Sequence, residues 1–219
     1  KFPSIPSNLN KKQKWIEEMV FNSLKILKVE KFYALLHHNA EELIKENNYE
    51  VLQSLIKLKS QGLIKKIGVS IYNPNQIHKL YKLFPFDIVQ VPFNVIDQRL
   101  KEPEIINFIK THNIEVQTRS IFLQGVLFMN KDRLLKHFKP WRDIWELWFK
   151  YIEEQKLSPL EICLFFQKQF RDINLVTVGV DNSHHFKQII DVFRNCKEIQ
   201  LPNIKSNDLY LIDPRKWNV

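Results

Sequence analysis

The sequence is poor in several features that mark common protein classes. It has four glycines and two cysteines among 219 residues. No stretch is apolar over the roughly 18–20 residues needed to cross a bilayer, so a membrane-spanning helix is not expected. No G-x-G-x-x-G or Walker sequence occurs, which argues against a doubly wound nucleotide-binding sheet with a glycine-rich first turn.

The cysteines and histidines give no sign of a disulfide framework or a metal site. Cys163 and Cys196 have neither CxxC spacing nor a nearby histidine pair. We therefore expect two packing residues and a reducing, cytoplasmic environment. His184 and His185 are adjacent but lack a third ligand at a suitable spacing, so no metal is predicted.

Composition favours a globular protein without selecting a partner. Hydrophobic residues make up 44% and aromatics 12% of the chain, which argues against disorder. The net charge of +9 permits nucleic acid, anionic lipid or a phosphate-bearing ligand. The lysines are scattered, as on solvated helix faces, and no recognition motif accompanies them, so nucleic acid is the least favoured partner.

Apolar spacing predicts strands that alternate with helices. The predicted helices span residues 11–27, 49–60, 75–83, 102–111, 159–170 and 183–193. The predicted strands span residues 2–5, 32–36, 66–69, 86–91, 114–118 and 175–178. Such alternation implies a parallel sheet, either doubly wound or most of a (β/α)8 barrel.

Three motifs occur in an order that resembles the aldo-keto reductase family. His37 follows an apolar run, residues 62–70 read GLIKKIGVS, and residues 89–94 read VQVPFN. Residues 178–183 (VGVDNS) resemble the family's last strand and turn, and all four glycines stand where the family pattern has glycine. The resemblance implies a (β/α)8 TIM barrel with strands three to eight present. It also implies one barrel domain over residues 1–219, within a longer chain that includes two earlier βα units.

The resemblance implies a catalytic tetrad of tyrosine, lysine, histidine and aspartate. The family transfers a hydride from a reduced nicotinamide to an aldehyde or ketone, and the tyrosine donates the proton. His37 corresponds to the histidine that orients the substrate carbonyl, and Lys1 to the lysine. The aspartate and tyrosine are expected upstream of Lys1. The alternative for His37 is a histidine that only ends a strand.

The resemblance places cofactor-binding residues at the carboxyl ends of the strands. Ser70 and Gln90 correspond to residues that hold the nicotinamide carboxamide, whereas Ile71 replaces the family's asparagine. Arg119 replaces an aromatic residue that stacks on the nicotinamide, a role that a planar guanidinium can also fill. The alternative is that Arg119 is a surface arginine with no role in cofactor binding. Ser120, Phe122 and Gln124 follow in a segment that the family places along the cofactor.

The turn after the last strand is the remaining part of the expected cofactor cleft. Gly179, Asp181, His185 and Gln188 lie here, at the start of a helix whose backbone N–H groups suit a phosphate. Many NADP-dependent members carry basic residues at this turn, whereas this chain has only Lys187 nearby. The expected cofactor is NADP, with NAD as the alternative.

Two other features have structural interpretations. Trp141, Trp145 and Trp148 recur at helical spacing in an inserted segment. They are expected to face a core, the alternative being stacking on a sugar or aromatic substrate. Asn94 is expected to support the pocket backbone rather than to touch a ligand.

Three functions remain open at this point. The favoured one is an NAD(P)H-dependent oxidoreductase that acts on a small carbonyl substrate. The second is a non-catalytic barrel of the same family that binds a nucleotide or a protein, for which Ile71 and Arg119 give some support. The third is another barrel enzyme, a lyase or isomerase, that uses the pocket at His37 without nicotinamide.

Overall fold

The computed structural model of the chain describes residues 1–5, 11–45, 49–134 and 136–218. The α-helices are α1 (Lys12–Leu27), α2 (Ala40–Lys45), α3 (Tyr49–Ser60), α4 (Ile77–Leu83), α5 (Pro103–Thr111), α6 (Arg142–Gln155), α7 (Pro159–Lys168), α8 (Ser183–Arg194) and α9 (Leu209–Ile212). The strands are β1 (Phe32–His37), β2 (Ile64–Ser70), β3 (Ile88–Pro92), β4 (Glu115–Arg119) and β5 (Leu175–Val176). No helix of these described residues is long and apolar enough to span a membrane.

The chain divides into two compact units. The first unit comprises Lys1–Val91 and Pro103–Val116, and the second comprises Pro92–Glu102 and Gln117–Val219. The strands follow one another in the sheet in chain order, β1-β2-β3-β4-β5. The alternation of strands and helices confirms the predicted α/β class.

The sheet of the first unit brings three strand ends to the same edge. Strands β1, β2 and β3 pair in parallel, with His37 opposite Val69 and Ser70 opposite Gln90. Because parallel strands end on one side of a sheet, His37, Ser70 and Gln90 lie along its carboxyl edge. All three side chains are buried.

Gly68 makes the close packing of β2 possible. A Cβ atom at this position would lie 2.6 Å from Ile88 Cγ2, 2.7 Å from Ile88 O and 2.8 Å from Leu36 Cγ. These separations are far below van der Waals contact, so a side chain would displace a neighbouring strand. The glycine therefore fixes how closely β1, β2 and β3 approach one another.

A buried glutamine joins three segments of the second unit. Strand β4 pairs in parallel with β5, and Thr118 lies opposite Val176. Thr118 Oγ1 donates a hydrogen bond to Gln167 Oε1 at 2.8 Å. The Nε2 of Gln167 donates to the carbonyl oxygen of Phe93 at 2.9 Å. Helix α7 is thus fastened both to β4 and to the residue after β3 through one satisfied amide.

The start of α7 follows the sequence prediction. Ser158 Oγ accepts a hydrogen bond from the Glu161 N–H at 3.2 Å, and Glu161 Oε2 accepts one from the Ser158 N–H at 2.7 Å. Pro159 occupies the first turn, where a missing N–H costs nothing. This capping box satisfies two backbone donors and is worth about 1 kcal/mol.

The tryptophans of the inserted segment are mainly core residues. Trp145 and Trp148 are fully buried on α6, as the helical spacing predicts. Trp141 is partly exposed, and its Nε1 donates to Asp208 Oδ2 at 3.0 Å. The core prediction is therefore confirmed for two of the three side chains.

Three segments differ from the sequence predictions. The strand expected over residues 2–5 is wrong, because only Phe2 forms a bridge, with His37. Pro3 has no N–H for a strand ladder, so the pairing stops there. Helix α2 occupies a segment for which no element was expected, and the last strand is only Leu175–Val176.

Candidate active site

His37 is a buried, neutral histidine at the end of β1. Its Nδ1 accepts a hydrogen bond from the Asn39 backbone N–H at 3.2 Å, which assigns the ring proton to Nε2. Burial lowers the pKa of His37 to about 4, although the nearby Glu42 carboxylate opposes this shift. Glu42 Oε2 lies 3.9 Å from Nε2, and the ring of Phe2 packs edge-on against the imidazole at 4.6 Å between centroids. At neutral pH the imidazole therefore presents Nε2–H as a hydrogen-bond donor.

Three predicted site residues form a chain of hydrogen bonds beside β2. Lys1 Nζ donates to Ser70 Oγ at 3.1 Å, and Ser70 Oγ donates to Gln90 Oε1 at 3.3 Å. The parallel register that sets Ser70 opposite Gln90 makes this contact possible. Ile71, which replaces the family's asparagine, is buried and apolar, so it offers a ligand no side-chain hydrogen bond.

The second unit contains the residues that end β4. Arg119 Nη1 donates to Ser120 Oγ at 3.2 Å. The carbonyl oxygen of Ser120 accepts a hydrogen bond from Asn94 Nδ2 at 3.1 Å. Asn94 Oδ1 also accepts from the backbone N–H groups of Ile96 and Asp97, at 3.0 and 2.8 Å. Asn94 thus supports the backbone of Ser120, Ile96 and Asp97, and its position relative to a ligand stays a prediction.

The backbone after β4 is held in an unusual conformation. Leu123, Gln124 and Gly125 follow one another with φ of 46°, 53° and 85°, and Ser120 has φ of 56°. Left-handed backbone costs roughly 1–3 kcal/mol at a non-glycine residue and persists where the surroundings impose it. Such strain is concentrated at ligand-binding and catalytic sites. It is consistent with a functional role for this segment.

A cavity of about 350 Å³ lies at the start of α8. Five predicted cofactor residues line it, together with three that the sequence did not single out: Phe122, Gly179, Asp181, His185 and Gln188, with Phe128, Leu160 and Ile189. Asn182 caps the helix, because its Oδ1 accepts from the His185 N–H at 2.9 Å. Asp181 Oδ2 lies 3.7 Å from His185 Nδ1. The turn therefore places one carboxylate and one imidazole at this cavity.

The structure places the other predicted residues elsewhere. Arg119, Ser120 and Gln124 do not belong to the described lining of this cavity. Phe122 belongs to the same chain segment but lines the cavity, where its ring packs on Phe128 at 5.0 Å between centroids. The residues that sequence reasoning missed, Phe128, Leu160 and Ile189, are apolar and carry no motif. Only their position in the fold shows that they line a cavity.

No metal site is evident in the described part of the chain. Residues 1–5, 11–45, 49–134 and 136–218 contain no group of three metal-ligating side chains. His184 and His185 do not converge on a third ligand. Cys163 and Cys196 are both free thiols. Burial raises the pKa of each thiol, so neither is an activated nucleophile.

Comparison with known families identifies the chain. Residues 3–207 match the family model described as Aldo/keto reductase family. Since the match extends over most of the chain, the protein belongs to the aldo/keto reductase family. No curated protein matches the sequence significantly.

Solved structures of this family share the fold. The apo form of aldo-keto reductase AKR11C1 from Bacillus halodurans matches with a TM-score of 0.67 at 18% identity, over 86% of this chain and 65% of that one. Glycerol dehydrogenase AKR11B4 from Gluconobacter oxydans matches with a TM-score of 0.58 at 18% identity, over 87% of this chain and 67% of that one. These likenesses show the fold: the open parallel sheet corresponds to part of a (β/α)8 barrel.

Proposed function

We propose that the protein is an NAD(P)H-dependent oxidoreductase that reduces an aldehyde or ketone to an alcohol. The observation that carries this proposal is the state of His37. A buried imidazole with its proton on Nε2 can donate a hydrogen bond to a carbonyl oxygen without carrying a charge. It would orient the substrate and stabilise the negative charge that develops on that oxygen.

Each unit by itself contains residues whose chemistry suits part of a nicotinamide dinucleotide. The cavity beside Gly179 opens at the start of α8, where backbone N–H groups favour a phosphate. The amide of Gln90 can both donate to and accept from a carboxamide, and Arg119 can stack on a planar ring. When bound, the reduced cofactor supplies the hydride. By the family pattern, the remaining roles in cofactor binding would belong to Ser70 in the first unit and to Ser120, Phe122, Gln124, Asp181, His185 and Gln188 in the second.

Lys1 and His37 would act as two members of a four-residue catalytic group. The ammonium of Lys1 donates to Ser70 Oγ, which holds the lysine at the carboxyl edge of β2. A lysine in this position would lower the pKa of a neighbouring tyrosine by stabilising the phenolate. In the family pattern a tyrosine and its aspartate partner complete this group.

The composition of the cavity bears on which cofactor is used. NADP is the cofactor expected from the sequence, with NAD as the alternative. Among the described residues that line the cavity, none is lysine or arginine, and Asp181 contributes a carboxylate. An acidic residue can hydrogen-bond a ribose 2′-hydroxyl and repels a 2′-phosphate. This observation favours NAD.

The test is titration of the full-length protein with NADPH and then NADH, followed by tryptophan fluorescence. Saturable quenching would support a dinucleotide site and justify a screen of aldehydes and ketones for consumption of the reduced cofactor. A folded protein that responds to neither nucleotide would overturn the reductase proposal. That result would leave a lyase or isomerase as the better interpretation.

A non-catalytic member of the family is the second candidate. The buried Ile71 favours it, because the contact expected from an asparagine is absent. Tight binding of a dinucleotide with no turnover of any carbonyl compound would support this candidate. Turnover that is lost in a His37→Ala variant would exclude it.

The remaining assignments are also proposals. We infer a small-molecule carbonyl substrate, a cytoplasmic location and no bound metal, nucleic acid or membrane. The chain spans 65% of the length of the B. halodurans relative. The assignment of residues 1–219 to one barrel domain therefore stays a prediction.

A further inference from the structure

The second unit has another cavity, which shares no lining residue with the one beside Gly179. It has a volume of about 290 Å³ and lies between the segment before α6 and α6 itself. We propose that it binds a small amphiphilic anion, an apolar chain or ring that carries one acidic group. This proposal is independent of the reductase activity.

The walls of this cavity are apolar and preformed. Leu134, Trp145 and Phe149 contribute them. The indole Nε1 of Trp145 donates to the carbonyl oxygen of Phe138 at 3.1 Å, which fixes this almost fully buried ring at the base of the cavity. The Trp145 and Phe149 rings lie 6.5 Å apart between centroids and are inclined by 32°. A rigid wall of this kind receives an apolar group without further ordering of side chains.

The rim of the cavity is positively charged. Of the described lining residues, Lys131, Lys139 and Arg142 are cations and Glu146 is a carboxylate. Arg142 Nε donates to Glu146 Oε1 at 2.6 Å. The hydrogen bond from Arg142 and the charge of Lys131 both lower the pKa of Glu146, so this carboxylate stays ionised and faces Arg142. Against these three cations stand Glu146 and, beside Arg142, Asp143, so the described rim keeps a net positive charge.

The apolar walls and the positively charged rim together indicate the class of ligand. An excess of cations excludes metal ions and amines, and an apolar wall excludes a simple inorganic anion as the best occupant. Ligand pockets commonly measure about 300–1,000 Å³, so this cavity, at about 290 Å³, lies at the lower limit and suits only a small molecule. An aliphatic carboxylate of moderate length would place its chain on the partly exposed Leu134 and Phe149 and its head group beside Lys139.

The first test compares octanoate with octylammonium, which has the same chain and the opposite charge. Isothermal titration calorimetry of the full-length protein, without nucleotide and below micelle-forming concentrations, should show saturable binding of octanoate only. Absence of octanoate binding, or equal binding of octylammonium, would overturn the proposal. Since no nucleotide is present, the outcome does not depend on the proposed activity.

Two pairs of variants locate the bound anion. Lys139→Glu should weaken octanoate binding about fivefold or more, because it reverses one charge at the rim. Lys136→Glu makes the same charge change in the same segment, outside the cavity, and should leave binding unchanged. Phe149→Ala should weaken binding, whereas Leu147→Ala, at an exposed position of α6 outside the lining, should not. Equal effects within either pair would show that binding is nonspecific.

Discussion

The hydroxyl of Ser70 donates a hydrogen bond to Gln90 Oε1 at 3.3 Å across two neighbouring parallel strands. The same hydroxyl accepts a hydrogen bond from Lys1 Nζ. Both strand-end side chains are buried. The orientation of the Gln90 amide is therefore fixed before any ligand arrives, which is the condition for precise recognition of a planar carboxamide.

We predict that Gln90→Ala weakens binding of reduced dinucleotide by about tenfold. The substitution removes the amide proposed to pair with the nicotinamide, and one such hydrogen bond contributes roughly 0.5–1.5 kcal/mol. Fluorescence titration measures the effect. Gln13→Ala, at an exposed position on α1, is the control and should bind like the unmodified protein. Equal affinities for all three proteins would place the nicotinamide elsewhere.

Asp181→Ser is expected to raise the affinity for NADPH relative to NADH by about fivefold. Removing one carboxylate near a bound phosphate relieves a repulsion of about 1 kcal/mol in water. The ratio of the two dissociation constants is the quantity to measure. Asp191→Ser makes the same change on the exposed part of α8. If both substitutions alter the ratio equally, Asp181 has no special position relative to the ribose.

Stability should depend on pH through His37. Its pKa is about 4 in the folded protein and 6.5 in an ordinary environment, so the unfolded chain binds more protons between these values. This contribution to the free energy of unfolding is complete above pH 6.5 and falls by roughly 3 kcal/mol as the pH approaches 4. Urea unfolding between pH 7 and 4.5 measures it. His37→Gln should show a shallower decline, and parallel curves would contradict the assigned state.

Gly68→Ala should lower the free energy of unfolding by about 1–3 kcal/mol, because its Cβ would overlap Ile88 and Leu36. Gly179→Ala is the matched control, since a Cβ there meets nothing within 4 Å. The control should change stability by no more than about 0.5 kcal/mol. Thermal or urea unfolding distinguishes the two. If Gly68→Ala left the free energy of unfolding unchanged, β2 and β3 could move apart without loss of stability.

Local signals in the sequence predicted much of the fold. Helix α3 spans Tyr49–Ser60, as predicted, because its apolar spacing is regular. The capping box at Ser158 could also be predicted from the sequence, because all its atoms lie within four residues. The pairing of Phe2 was harder to predict, because its partner, His37 of β1, lies 35 positions later in the chain.

The candidate site was less completely predictable. Motifs identified the polar residues Ser70, Gln90 and Asp181, whose chemistry is distinctive. Leu160 and Ile189 line the same cavity as Asp181, but nothing in their local sequence separates them from ordinary core residues. The tautomer of His37 also depends on a backbone N–H two residues later, at Asn39, and folding alone creates that contact.

The hydrogen bonds of the Gln167 amide restrict which substitutions the protein can accept at position 167. It accepts from Thr118 and donates to the carbonyl of Phe93, so both of its polar ends are in use. Glutamate would place a second hydrogen-bond acceptor against the Phe93 carbonyl oxygen. Leucine would leave both the Thr118 hydroxyl and that carbonyl without their hydrogen bonds to residue 167. A lineage that loses this glutamine would have to change Thr118 as well and re-satisfy the Phe93 carbonyl. Drift at position 167 should therefore be slow and accompanied by change at position 118.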